Sequence, residues 1–420
     1  MPFLDLNSPL PALRQALEAV PIQEKGQDLF LLRDLENLTP QSLALSQAGL
    51  ALASLLDGTR TGAMVQGVFL KETGRVLKPE ELLGLVEQLD AALLLETPQV
   101  MAKRRRILKD FLDNPLRPAA FAGLSYPKEP LELTKMLGGF MKDGKGPGKD
   151  PAPAPLAAPP RGLISPHIDF PRGGPAYAWA YKALYESRPP DLIVALGVAH
   201  ASPDSPWALT KKAYETPHGP MAVDEGLYED FRKTLWYDPL ADEPVHRTEH
   251  SLEFQAVWLR WLWREKTPPW LPVLCSTFER YSPDQPPSGV PMVEKAIAQL
   301  ETLLRERAKK GQRIMILAGV DLAHVGRRFG DELDISPELE QKIEGEDRAS
   351  MEHALKLDAD AFYRSVVAGG HWRKVCGLSA LYTSLRLIKA LGPGSGKLLA
   401  YGQAPDPSGG LVSFTGAIFP

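Results

Sequence analysis

From residue 161 onward the chain alternates short, unbroken apolar runs with longer amphipathic stretches. "GLIS" (162–165), "DLIVALGVAH" (191–200), "PWLPVLCSTFE" (269–279), "QRIMILAGVDLAHVG" (312–326) and "GGLVSFTGAIFP" (409–420) read as buried strands. Helical patterning occupies 175–186, 224–235, 250–265, 291–310, 336–357 and 377–391. A strand without polar alternation is apolar on both faces, so both faces need a cover. The predicted fold is α/β: a layered, mostly parallel sheet with helices on both faces.

The first hundred residues show another pattern. "DLFLLRDLEN" (28–37) predicts a short strand and turn, and "TPQSLALSQAGLALASLL" (39–56) a helix with Thr39 as N-cap and Pro40 at its first position. Helices over 62–74 and 78–95 come next. One strand and three helices suggest a small winged-helix-like domain over 1–100. Its third helix is acidic at its start and apolar along its length, which favours a peptide-binding or structural role over DNA binding. "MAKRRRILKDFLDNP" places a basic helical connector at 101–114, where Lys103 to Arg106 are either a phosphate contact or a solvated face. The α/β domain then runs over 115–420. Its Gly-, Pro- and Ala-rich stretch at 143–160 reads as an exposed loop.

Composition narrows the class. A length of 420 residues exceeds one ordinary core, and 44% hydrophobic with 24% charged residues is a common globular mixture. The net charge of −4 points to neither a nucleic-acid nor a membrane-surface partner. No apolar run has bilayer-spanning length, and the N-terminus lacks the basic and apolar regions of a signal peptide. With two cysteines there is no disulfide framework, so a cytoplasmic location is expected.

The candidate chemistry collects at strand ends. His167 lies just past the 162–165 strand, His200 closes the 191–200 strand, and Asp321 and His324 stand at the end of the 312–326 strand. In open α/β sheets, ligands bind outside the carboxyl ends of the strands. Any one of these histidines could be an ordinary satisfied polar residue. Four of the eight histidines, however, fall at strand exits or, as His250 does, at a helix start. Glu249 and Glu253 flank His250 and could orient imidazoles, or simply complement a helix N-terminus. Cys376 opens the last long helix, where a thiol is biased toward thiolate. With imidazoles it would suit zinc, copper or ferrous iron. A Cys–His nucleophile is the other option. Cys275, inside an apolar strand, reads as structural. Asp169 brings a carboxylate beside His167, to ligate a metal, bind a basic substrate group, or pair with Arg172. No CxxC, HExxH, Walker or GxGxxG pattern occurs in a strand–turn–helix context.

Taken in order, "SPHIDF", "LGVAHA", "EHSLEF", "GVDLAHVG" and "VCGLSAL" resemble the motifs of the Memo family, called AmmeMemoRadiSam system protein B in bacteria. "PHGPMAVDEGL" (217–227) and "RPAAFAGLSYPKEPLEL" (117–133) look like two further stretches of that family, so the resemblance covers about 115–420. "PHID" stands where the family has P-H-A-G, and "GVAHA" lacks the second histidine of the fuller motif. The resemblance implies a fold similar to class III extradiol dioxygenases, whose non-haem iron is held by two His and one Glu. By position His167 and His200 would be the two imidazole ligands and Cys376 the third, with Glu249, His250, Asp321 and His324 as catalytic residues around them. It implies one transition-metal ion, copper or iron with zinc as an alternative, and redox or dioxygenase-related chemistry. The alternative is a non-catalytic module that captures a small molecule or peptide in the same pocket. Residues 1–100 resemble PqqD-like peptide chaperones, which implies a protein partner.

Overall fold

The computed structural model describes residues 5–36, 38–152, 158–201, 203–406 and 409–420. The chain divides into two compact units, Met1–Asp113 and Asn114–Pro420.

The first unit opens with an antiparallel sheet, β1 (Leu17–Glu24), β2 (Gln27–Asp34) and β3 (Leu43–Leu45), in the order β1-β2-β3. Lys25 and Gly26 join β1 to β2 with φ of 51° and 78°, the positive values a two-residue hairpin demands. Helices α1 (Gln47–Ser54), α2 (Gly62–Thr73), α3 (Pro79–Ala91) and α4 (Pro98–Asp113) complete it. The unit therefore carries three strands where sequence patterning gives one. β1 contains Pro21, which an edge strand tolerates. The helix expected from residue 39 instead begins at Gln47, because Ser46 Oγ accepts from Gly49 N (3.1 Å) while Leu43–Leu45 pairs with β2. α4 belongs to this unit. Its Arg104 is held by Glu36 (2.6 Å) and Glu96 (2.5 Å), so that part of the basic run is spent on internal ion pairs.

The second unit is a mixed α/β fold. In chain order its elements are β4 (Leu116–Arg117), α5 (Pro130–Lys142), β5 (Gly162–Ser165), α6 (Phe170–Tyr185), β6 (Leu192–Val198), β7 (Trp207–Leu209), β8 (Ala213–Tyr214), α7 (Glu225–Arg232) and α8 (His250–Trp263). Next come β9 (Trp270–Cys275), α9 (Pro291–Lys309), β10 (Ile314–Gly319), β11 (Asp321–Gly326), α10 (Pro337–Leu355), α11 (Ala359–Val367), α12 (Leu378–Leu391), β12 (Lys397–Asp406) and β13 (Gly410–Phe419). Of the Gly- and Pro-rich stretch at 143–160, residues 153–157 lie outside the described residues.

The eight-stranded sheet runs β11-β13-β5-β10-β6-β9-β7, with β12 on β13. Its middle, β5-β10-β6-β9, is parallel; β13, β11, β12 and β7 add to it antiparallel. Every residue of β6 is buried, and the two sets of alternating side chains enter different cores. Leu192, Val194 and Leu196 pack with residues of α7, α9, α11 and α12; Ile193 and Ala195 pack with α5, α6 and α8. This double burial is the reason for the unbroken apolar runs.

Two departures from the sequence pattern shape the site. The run at 312–326 is two strands. β10 lies at the sheet centre, and after Val320 the chain passes to β11, paired with β13. β12 was not legible, its residues being only half-buried. In register, Ser165 of β5 lies beside Gly319 of β10, which lies beside Gly197 of β6. Three parallel strands therefore stop at one level, and the residues just past their ends face the same space.

Candidate metal centre

His167 lies two residues beyond β5 and is 1% exposed. Its backbone N–H donates to Asp321 Oδ1 (2.9 Å), and its Nδ1 lies 3.0 Å from Gly319 O. A carbonyl can only accept, so Nδ1 carries a proton and Nε2 is the nitrogen that faces the site. His200, just beyond β6, repeats this arrangement. Its backbone N–H and its Nδ1 both meet Glu249 Oε2, at 2.9 and 3.0 Å. Glu249 is the N-cap of α8 and also accepts from Ser251 N (2.9 Å), with His250 Nδ1 at 3.3 Å from Oε1. One buried carboxylate thus joins the helix start to two imidazoles.

The side-chain donor atoms of His167, His200 and His250 lie within 4.8 Å of one another. The rings of His200 and His250 stack at 4.9 Å, and both stand edge-on to His167 at 5.1 and 5.2 Å. Cys376, two residues before α12, brings Sγ to 3.3 Å from His167 Nε2 and 3.9 Å from Asp321 O. Asp321 itself is buried, with Oδ2 at 3.6 Å from His167 Nε2. His324, within β11 rather than past its end, packs edge-on against Phe329 (5.1 Å), and its Nδ1 is 3.1 Å from Leu322 O. The arrangement brings together the residues singled out in sequence, although 209 positions separate His167 from Cys376.

Charge is shared unevenly across the cluster. Burial raises the thiol of Cys376, but the imidazoles of His167 and His324 outweigh it and hold the group well below its usual value. Burial lowers His167, yet Asp321 and Cys376 bring it up to about 9. His200 is raised in the same way, by Glu249. His250, desolvated and facing two other imidazoles, is lowered to about 3. Burial raises Asp321. A sulfur among imidazoles whose remote nitrogens are tied to a carbonyl and a carboxylate is the usual environment of a transition-metal ion. An imidazole nitrogen and a sulfur on one tetrahedral ion stand roughly 3.5–3.6 Å apart, from bonds of about 2.0–2.1 and 2.3 Å. His167 Nε2 and Cys376 Sγ, at 3.3 Å, stand close to that separation.

A cleft of about 370 Å³ opens over the imidazoles. Phe121, Phe254 and Phe329 line its wall, and Asp169, Arg172, Arg328 and Asp406 line its polar part. Asp169 caps α6 and accepts from Arg172 Nε (2.6 Å), the ion pair among its three readings. Glu253 likewise turns away from the imidazoles. It is fully buried against Arg117, and accepts from Phe121 N (2.9 Å), Ala120 N (3.0 Å) and Tyr126 OH (2.5 Å). It therefore holds the Phe121 wall of the cleft rather than a histidine.

Several supports were invisible in sequence. The carbonyl of Arg373 accepts from His324 N (2.7 Å), while its guanidinium bonds Asp347 (2.5 Å) and Ser350 Oγ (2.8 Å). That buried pair anchors the turn before Cys376. Asp406 comes from β12, which the patterning missed. Arg117 had a signal: it stands inside the resembling stretch 117–133.

Fold and cluster together define a mixed α/β protein with a cluster of three imidazoles, and a cysteine beside them, at the carboxyl ends of parallel strands. The family model described as Memo-like protein matches residues 117–417. This chain belongs to the Memo family. A MEMO1 family protein of Aquifex aeolicus is 27% identical over 395 residues, covering 93% of this chain and 96% of the relative. Relatives of the same description from Thermus thermophilus (27%, covering 81% and 93%) and Desulfurococcus amylolyticus (27%, covering 69% and 92%) are similar over shorter spans. The Aquifex alignment is longer than the second unit, so it reaches into the first. Among the described residues no helix is long and apolar enough to cross a membrane.

Proposed function

We propose that this protein holds one transition-metal ion, copper or iron, on His167, His200 and Cys376, and uses it in redox or dioxygenase-related chemistry. The observation that carries the reading is the 3.3 Å approach of Cys376 Sγ to His167 Nε2 within the imidazole cluster. A bound ion of this kind would supply an open coordination position and a one-electron couple. The remaining side chains have separable tasks. Asp321 fixes His167 through its backbone N–H. Glu249 fixes His200 and His250. His250, lowered by its surroundings and neutral at pH 7, can accept a hydrogen bond from a molecule in the cleft, and His324, raised by the neighbouring sulfur, can hold a proton. Phe121, Phe254 and Phe329 keep water from one side of a bound molecule. The layering fits a class III extradiol dioxygenase fold, and the sheet-and-helix N-terminal unit fits a PqqD-like, winged-helix-like module that recruits a protein or peptide.

Metal content of protein purified without added metal tests the assignment. His167→Ala and Cys376→Ala should lose the ion while His250→Ala keeps it. Equal content in wild type, His167→Ala and Cys376→Ala would overturn the reading, and loss in His250→Ala with retention in Cys376→Ala would make the third ligand an imidazole.

A further inference from the structure

Cys376 lines an opening other than the imidazole-lined cleft. A second cleft of about 340 Å³ is lined by Cys376 and His200 together with Cys275, Ser276, Thr277 and Glu279. His200 contributes to both clefts, so the cluster stands between them.

The second cleft is chemically unlike the first. Val198, Ala199 and Leu378 make its lining largely apolar, and all three are buried. Glu279 receives His371 Nδ1 at 2.7 Å, and His371 Nε2 accepts from Val375 N–H (2.8 Å), so that imidazole is engaged on both nitrogens. Lys374 also lines the cleft, but its ammonium reaches Asp331 and the carbonyl of Phe329 (2.8 Å). The hydroxyl of Ser276, on a residue only 1% exposed, lines the cleft and has no hydrogen-bond partner among the described residues. A cleft with apolar wall residues, an unpartnered buried hydroxyl, a carboxylate at its rim and Cys376 in its lining disfavours anions and favours a small neutral molecule.

We propose that this second cleft is a binding pocket for a small uncharged molecule, which reaches the sulfur of Cys376 without passing through the imidazole-lined cleft. The centre would then take two different molecules from two openings. The inference concerns access to the thiol and holds whether or not an ion is bound.

Methanethiosulfonates measure that access. The thiolate attacks the reagent's thiol sulfur, a mixed disulfide forms, and methanesulfinate leaves with the electron pair of the broken S–S bond. Labelling of Cys376 in the full chain is monitored by peptide mass spectrometry, before and after chelation, with a neutral methyl reagent and a sulfonate-bearing one. The neutral reagent should be the faster. Thr277→Trp, an exposed position on the second cleft, should slow labelling about tenfold or more, because thiol reactivity depends on access. Ser125→Trp, which narrows the first cleft, should leave the rate unchanged. Glu279→Gln should narrow the difference between the two reagents. Slowing by Ser125→Trp, indifference to Thr277→Trp, or no labelling of Cys376 under either condition would each overturn the proposal.

Discussion

Replacing Glu249 by glutamine removes a charge and almost no volume, and the geometry around it gives the consequence. Oε2 faces His200 N–H (2.9 Å) and His200 Nδ1 (3.0 Å); Oε1 faces Ser251 N–H (2.9 Å) and His250 Nδ1 (3.3 Å). Every one of these contacts calls for an acceptor. A glutamine has a single oxygen, so in either orientation its NH₂ meets a backbone N–H. At least one charge-assisted hydrogen bond is lost, worth about 1.5–3 kcal/mol. If His200 is a ligand, the loss appears in metal affinity, where removing a carboxylate partner of a ligating histidine weakens binding roughly 10–100-fold. That range corresponds to about 1.4–2.7 kcal/mol, the same size as the lost bond. Competition titration against a chromophoric chelator reads the affinity, and a thermal melt reads the stability. Glu253→Gln, four residues along the same helix, serves as the control: it should lower the melting temperature through its pair with Arg117 and change metal affinity far less. Affinity within twofold of wild type in Glu249→Gln would refute the view that this carboxylate positions a ligand.

Two further outcomes rest on the same packing. A Cβ on Gly319 would lie 2.6 Å from the backbone oxygen of Ser251, so Gly319→Ala should push the start of α8 from the sheet, at a cost of about 1–3 kcal/mol of stability, and weaken metal binding without altering any donor; a variant with wild-type melting and affinity would show the approach to be slack. Fully buried His246 is lowered to about 3 by desolvation, while its Nδ1 accepts from Tyr214 OH (2.6 Å) and its Nε2–H donates to Ala208 O (3.0 Å). Above pH 6.5 it is neutral folded or unfolded, and between 6.5 and 3 only the unfolded chain takes the proton. Wild type should therefore lose about 2 kcal/mol between pH 7.5 and 5 that His246→Gln does not lose, read from urea midpoints at the two pH values; parallel losses would refute the assignment.

Much of the α/β unit was legible because its signals are local. A run such as Leu192–Val198, apolar at every position, has to lie between two layers of helices, and no distant residue alters that requirement. The histidines at the ends of such runs were legible for the same reason, since a chain leaving a buried strand delivers its next polar side chains to the strand's carboxyl edge. Motif order then carried the family. The partners those side chains take were out of reach. Glu253 reaches Arg117 across 136 positions and so serves the aromatic wall, whereas Glu249, one turn earlier, serves the imidazoles. In sequence the two glutamates look alike.

The sequence by itself determined the α/β class, the buried strands of the parallel core, and that His167, His200, His250 and Cys376 lie at strand or helix ends. Tertiary structure alone decided that Ser165, Gly319 and Gly197 lie side by side, that the run at 312–326 breaks to send β11 to the sheet edge, and that Cys376 meets His167. The reason is range. Patterning and capping act over about a turn or a strand length, but register and strand order are fixed by pairing between segments far apart in the chain, where each contact depends on all the others.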